Sequence, residues 1–188
     1  KENIIVQLIS EVLSSDEIVV TSSLINSLRF EEPSSLSTLS GKYIKKHNYE
    51  HFQQITDYIP NLNYASGSSR PRFFQIRGVG ERSQYFGEGS PNYSVSYEFD
   101  GIDLSGIGMI GSTIDIAHIE VAKGPQSTVF GNNAIAGAIV LKSAEPVNKR
   151  LLKANIGFGS DNYKSVGITA NFNMFKTLLF RLNINKNY

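Results

Sequence analysis

Three consecutive stretches near the C-terminal end alternate apolar and polar residues with a period of two. In the first, Ala154, Ile156 and Phe158 alternate with Lys153, Asn155, Gly157 and Gly159. After a Ser160-Asp161-Asn162 turn, Val166, Ile168, Ala170 and Phe172 alternate with Ser165, Gly167, Thr169 and Asn171. In the third, Leu178, Phe180, Leu182 and Ile184 alternate with Thr177, Arg181, Asn183 and Asn185, with Leu179 the one intruder. Successive side chains of a strand point to opposite faces, so each stretch predicts a strand with one apolar and one polar face. A strand of about 9–11 residues, tilted, crosses a bilayer, and these stretches have that length. A polar face of Lys, Asn, Gly, Thr and Arg suits a water-filled or filled lumen. A soluble sandwich also alternates, so a soluble β-rich ligand-binding or adhesion domain stays open as the alternative. No run approaches the ~20 apolar residues of a membrane helix. Any membrane insertion therefore uses strands, and three strands leave open edges that lipid cannot satisfy.

Upstream, residues 114–141 read IDIAHIEVAKGPQSTVFGNNAIAGAIVL. Apolar groups fall on both faces of its first part, which predicts a central strand. Gly124 and Pro125 stop that strand, because Gly permits positive φ and Pro lacks a donor. Gly131, Asn132 and Asn133 supply further turn residues before a second strand over 138–142. No Gly-Lys-Ser/Thr or Gly-x-Gly-x-x-Gly phosphate cradle accompanies these glycines.

Between 60 and 106 the chain alternates strands with long loops. Residues 73–77 and 94–99 are the strand candidates; in the second, Val95, Tyr97 and Phe99 face one way and Ser94, Ser96 and Glu98 the other. Asp100-Gly101 is a natural hairpin turn. The loops carry Arg70, Arg72, Arg82, Tyr85, Phe86, Asn92 and Tyr93. Arginine forks capture carboxylates and aromatic faces stack on rings and sugars, so these loops are candidate ligand contacts. The alternative is that the arginines pair with acids elsewhere in the protein.

Residues 24–38, rich in Ser, Asn and Glu, read as a linker. Ser40 is placed to cap a short helix through His47, and Asn48 a second, with Phe52, Ile55 and Ile59 on one face until Pro60. His47 to His51 spell the H-x-x-E-H string of some zinc hydrolases. Zinc hydrolysis requires both histidines on one face of a continuous helix and a third ligand. The inferred junction at Asn48 breaks that face, which leaves a polar helix-helix junction as the favoured reading and a zinc hydrolase through His47 and His51 as the lesser one.

At the N-terminus, Lys1 precedes an apolar stretch and the small residues Ser14 and Ser15, the outline of a secretory signal remnant; the other reading of 1–15 is the start of an amphipathic helix. Next, Asp16 and Glu17 lead the β-branched run Ile18, Val19, Val20 and Thr21, an extended segment able to add itself to another protein's sheet edge. The net charge of +1 argues against a nucleic-acid binder. The chain has no cysteine, and hence no disulfide or thiolate metal site.

Several of these strings together resemble the plug of TonB-dependent outer-membrane receptors. Ile116 to Val121 stand where the family has an Ile-Glu-Arg-Ile-Glu-Val strand; Lys123-Gly124-Pro125 match its Arg-Gly-Pro corner, Phe130-Gly131 its Tyr-Gly turn and Gly137-Ala138-Ile139 its Gly-Gly-x-Ile strand. Pro60-Asn61-Leu62, Ile76-Arg77-Gly78 and Phe99-Asp100-Gly101 match the family's Pro-Gly-Val, Ile-Arg-Gly and Asp-Gly positions. Asn61 replaces a Gly, a change that Asn tolerates because it visits the left-handed region.

The resemblance implies an α+β fold: a small mixed-sheet plug with short helices, then the first antiparallel strands of a truncated transmembrane β-barrel, about 22 strands when whole. Its expected divisions are 1–15, an N-terminal extension; 16–38, a TonB-box-like segment and linker; 39–145, the plug; and 146–188, the start of the barrel. It implies no catalysis and no cofactor. The partners it implies are TonB with ExbB-ExbD, a small-molecule substrate (iron chelate, cobalamin, haem or oligosaccharide) and outer-membrane lipid. The N-terminus is expected in the periplasm and the plug in the barrel lumen. The loops from Arg70 to Tyr93 are then expected near the extracellular apex, and Arg77, Glu120 and Lys123 to pair with the inner barrel wall.

Overall fold

The computed structural model describes residues 19–20, 27–28, 35–65, 73–80, 93–107, 112–174 and 178–187. Its organising element is β8 (Ile116–Lys123), which pairs on one side with β3 (Ser35–Ser40) and on the other with β9 (Gly137–Ser143). β6 (Val95–Phe99) lies parallel to β9, and β7 (Ile102–Asp103) closes the far edge, giving a mixed sheet of order β3-β8-β9-β6-β7. β8 is central because both of its faces are covered. Ile119 and Val121 are buried on one face, Glu120 and Ala122 on the other.

The first face carries the core. Ile119, Val121, Ile139, Leu141, Val95 and Tyr97 meet Ile44 of α1 (Gly41–Lys46) and Ile55 of α2 (Gln53–Thr56). The hairpin β4 (Leu62–Ala65) and β5 (Phe73–Ile76) adds Leu62, Phe74 and Ile76. Phe52 sits at its middle, edge-on to Phe74 at 5.2 Å and to Tyr97 at 5.6 Å, a preferred aromatic arrangement. Phe52, Ile55 and Ile59 are all buried, as their spacing predicts.

Local chemistry explains the turns. Ser40 caps α1, its Oγ accepting from the Tyr43 amide at 3.3 Å. Gly41 follows because a Cβ there would lie 2.0 Å from the Ile116 carbonyl oxygen. Asp100 and Gly101 have φ of 49° and 82°, the pair of positive values that a two-residue type I′ hairpin requires, and join β6 to β7. Arg77 and Gly78 do the same at 54° and 77°, and Asn61 takes φ 63° as expected of its substitution for Gly.

Two expectations change and two are made more definite. Residues 35–38, read as the end of a linker, belong to β3; the strand owes its place to main-chain pairing with β8 from Ser35↔Lys123 to Ser40↔His118. Asn48 caps no helix but turns the chain at φ 53°, and the second helix shrinks to α2. Ser94 and Ser96 are buried along with Val95 and Tyr97, because the second face of the sheet is covered too. The turn residues after β8 form α3 (Ser127–Phe130) and a 3-10 turn, Gly131–Ala134.

The three alternating stretches are β10 (Leu151–Phe158), β11 (Lys164–Met174) and β12 (Leu178–Asn187), an antiparallel sheet of their own. The soluble alternative required these strands to pair back onto the earlier sheet, and they do not. Their apolar residues point outward and uncovered: Leu152 is 76% exposed, Phe158 79% and Ile184 60%. Their polar residues face the plug. The architecture is α+β, with a mixed-sheet plug followed by an open antiparallel sheet.

Candidate functional site

The polar faces of β10, β11 and β12 meet the plug across a seam built from side chains of both. Arg181 of β12 donates from Nε and Nη2 to the two carboxylate oxygens of Asp115, at 2.6 and 2.5 Å. Such two-pronged pairing fixes geometry as well as adding attraction. Tyr163 donates its hydroxyl to Glu50, and Lys45 donates to the Asn155 side chain at 3.3 Å. Beside the seam, Asn171, 2% exposed, holds the connector into β10: it accepts from the Val147 amide at 2.9 Å and donates to the carbonyls of Val147 and Lys149. Between the two parts lies a cavity of about 460 Å³, lined by Lys45, Glu50, Asp115, Lys153, Tyr163 and Asn185 among others. Ile44, Ile114 and Ile116 share that lining with the charged and amide groups, so its wall is of mixed polarity.

Sequence reasoning missed this seam. Asp115 precedes β8 in a left-handed conformation, φ 58°, and nothing in its neighbours announces a partner 66 residues away. The one available signal was that Arg181 interrupts the polar face of Asn and Thr with a charge.

The residues expected to pair plug and barrel are placed as follows. Glu120 is fully buried in the sheet, and its Oε1 accepts from His118 Nε2 at 2.8 Å. Arg77 stands exposed in its hairpin turn close to Lys123. Burial, and then the Arg77 charge, hold the Lys123 ammonium below its usual range. The two cations thus form one positive spot. At the opposite edge, burial pushes the Glu98 carboxyl up, helped by Asp103. Burial also acts to raise Asp103, but donors from Ser105 and Asn133 outweigh it and hold that carboxyl down.

Of the candidate ligand-loop residues, Arg70, Arg72, Arg82, Tyr85, Phe86 and Asn92 lie outside the described residues. Tyr93 stacks on Phe73 at 5.9 Å. Of the box-like residues, Asp16, Glu17, Ile18 and Thr21 also lie outside. Val19 and Val20 form β1 (Val19–Val20), which pairs antiparallel with β2 (Ser27–Leu28). His47 and His51 do not share a helix: His47 ends α1 with its Nδ1 2.9 Å from the Tyr43 carbonyl, and His51 bridges to Ser112 beyond the Asn48 turn. The helical face that a zinc hydrolase needs is not formed.

Comparison with known proteins places this architecture. The vitamin B12 transporter BtuB of Vibrio vulnificus is 24% identical over 162 residues, which cover 83% of this chain and 25% of BtuB. The pyoverdine receptor FpvA of Pseudomonas aeruginosa superposes with a TM-score of 0.72 at 14% identity, over 89% of this chain and 22% of FpvA. The alcaligin outer membrane receptor FauA of Bordetella pertussis gives 0.71 at 16% identity, over 89% of this chain and 28% of FauA. The chain spans about a quarter of the length of the relatives it matches. Residues 29–138, more than half of the chain, match the family model of the TonB-dependent receptor plug domain, and the chain belongs to that family.

Proposed function

We infer that this chain supplies the coupling segment, the plug and the first wall strands of a receptor that takes up a scarce nutrient across the bacterial outer membrane. The observation that carries the reading is the opposed polarity of the three-stranded sheet. Its polar side is engaged by the plug through Arg181–Asp115, Tyr163–Glu50 and Lys45–Asn155, while its apolar face is left uncovered, as a lipid-facing wall demands.

In this reading the plug occupies the barrel lumen and residues 16–21 lie in the periplasm. There they add a strand to TonB, which is driven by ExbB-ExbD. The work is binding and gating, not covalent chemistry. The loops bearing Arg70, Arg72, Arg82, Tyr85, Phe86, Asn92 and Tyr93 face the substrate at the outer surface. Arg77 and Lys123, side by side, present positive charge for acids on the remaining wall. The substrate belongs to the class of ferric chelates, cobalamins, haem or oligosaccharides; the relatives named above are a vitamin B12 transporter and receptors for pyoverdine and alcaligin.

The test is Val20→Pro in the receptor that carries this chain, assayed with cyanocobalamin, ferric siderophores, haem and maltodextrins. Proline removes a main-chain donor from the strand that TonB would pair with. Uptake of one of these compounds should be lost while its binding to cells persists. Uptake that is unchanged by Val20→Pro would reduce residues 16–21 to a linker.

A further inference from the structure

The cavity in the seam is unevenly charged once its internal pairings are taken into account. Both of its carboxylates are committed: Asp115 receives Arg181 on its two oxygens, and Glu50 receives the Tyr163 hydroxyl. Two of its ammonium groups are not neutralised in this way. Lys45 of the plug donates to the Asn155 amide oxygen at 3.3 Å, and Lys153 lies two residues before Asn155, on the same face of β10. Among the described residues neither lysine forms an ion pair with a carboxylate. Both line the cavity and both are exposed. Charge of one sign on the walls of a cleft draws in solutes of the other.

The wall beside these lysines leaves room for a guest. Gly167 of β11 stands in register between Asn155 of β10 and Asn185 of β12. A Cβ at Gly167 would lie 2.8 Å from Asn185 Oδ1 and 3.6 Å from Asn155 Nδ2, so the missing side chain lets both amides reach over the middle strand. Asn155 spends its oxygen on Lys45 and keeps Nδ2 as a donor. Across the cavity, Ile44, Ile114 and Ile116 add apolar surface, which favours a guest with a carbon skeleton over a bare inorganic ion. The volume of about 460 Å³ falls within the roughly 300–1,000 Å³ of small-molecule sites.

We propose that the seam cavity is a binding site for a small organic anion, a carboxylate-bearing solute held between Lys45 of the plug and Lys153 of the wall, with Asn155 Nδ2 as a third donor. Such a guest bridges the two parts of the molecule through charge-assisted hydrogen bonds. The site is separate from the loops bearing Arg70 to Tyr93. It depends on the packing of wall against plug and not on TonB, so a receptor that failed the uptake test above would still show it.

The experiment reads the two amines directly. The detergent-solubilised receptor carrying this chain is acetylated with a lysine-selective reagent, and the rate at each lysine is followed by mass spectrometry while glutarate is titrated at constant ionic strength, which holds general screening fixed. Glutarate should slow acetylation of Lys45 and Lys153 together, saturably and by about threefold or more, as binding removes the free amines. Lys149, exposed and outside the cavity, should react at an unchanged rate. Lys153→Gln should abolish protection of Lys45, and Lys45→Gln that of Lys153. Gly167→Ala leaves the charge unaltered but pushes the Asn185 amide aside, and should weaken protection of both lysines severalfold. Equal slowing at Lys149, equal protection by uncharged glucose, or protection that survives Lys153→Gln or is untouched by Gly167→Ala would overturn the proposal. So would an absence of protection by glutarate, or lysines at 45 and 153 that do not react even without it.

Discussion

The five-stranded sheet and the three-stranded sheet are built from similar residues and solve opposite solvent problems. In the first, Ile139, Val140 and Leu141 follow one another with no polar residue between them, and all three are at most 2% exposed. Helices and a hairpin cover one face, and the other is buried as well. In the second, residues alternate, Leu179 excepted, in the sense opposite to a soluble protein: Thr169 and Asn171 are buried while Ile168, between Gly167 and Thr169, is 46% exposed. A continuous apolar run signals two covered faces; a period of two with the apolar side outermost signals one face on protein and one on lipid.

Four substitutions bear on that contrast. The largest effect should come from Phe52→Ala, which empties the centre of the plug core and should cost about 3–5 kcal/mol. Urea denaturation of the detergent-solubilised protein reads it, and a loss near zero would mean that the aromatic cluster around Phe74 and Tyr97 is not the core. Next is Ile168→Lys on the outward face of β11. A cation at the bilayer midplane of a barrel costs about 2–4 kcal/mol. Folding into lipid vesicles should therefore suffer while solubility in water does not, and equal tolerance in both media would remove the lipid-facing assignment.

Gly41→Ala tests the packing of α1 on β8. The added methyl would meet the Ile116 carbonyl, and overpacking of this kind costs about 1–3 kcal/mol. An unchanged urea midpoint would show that α1 can back away from the sheet. The smallest effect belongs to Asp103→Asn. The Asp103 carboxyl is held below its usual range, so its contribution is complete above the unfolded-state value and is lost as pH falls through the folded one. The raised Glu98 carboxyl works the other way: it weakens the fold above its own unfolded value, and acid relieves it. Removing Asp103 should shrink both terms, leaving the urea midpoint flatter between about pH 5 and pH 3. A profile identical to that of the parent would mean that the hydrogen bonds from Ser105 and Asn133 carry no charge dependence.

Much of this contrast is legible in the amino-acid sequence. The run around Ile139, the Asp100-Gly101 turn and the period of two after residue 150 each state their own backbone and solvent preference. β3 does not, because Ser-Leu-Ser-Thr-Leu-Ser has weak strand propensity and is extended only through its pairing with β8. Asn48 is ambiguous for a chemical reason: the same short amide that caps a helix also tolerates positive φ. Glu120 is buried opposite Val140 in the middle of the sheet and meets His118 two residues away, a pairing that follows from the strand's period of two. Asp115–Arg181 is a tertiary contact, and no local pattern encodes it.

The Asn171 bonds also have a consequence for assembly. They join residues only 22 and 24 positions apart, whereas Asp115 and Arg181 are 66 apart. Closing a short loop costs less chain entropy than closing a long one, and local contacts form sooner. The stitch at residues 147–149 needs nothing beyond β11, so the connector that leads from the mixed sheet into β10 is ordered as soon as the β10–β11 hairpin exists. The Asp115–Arg181 pair between the two sheets forms only once β12 has been added to that hairpin.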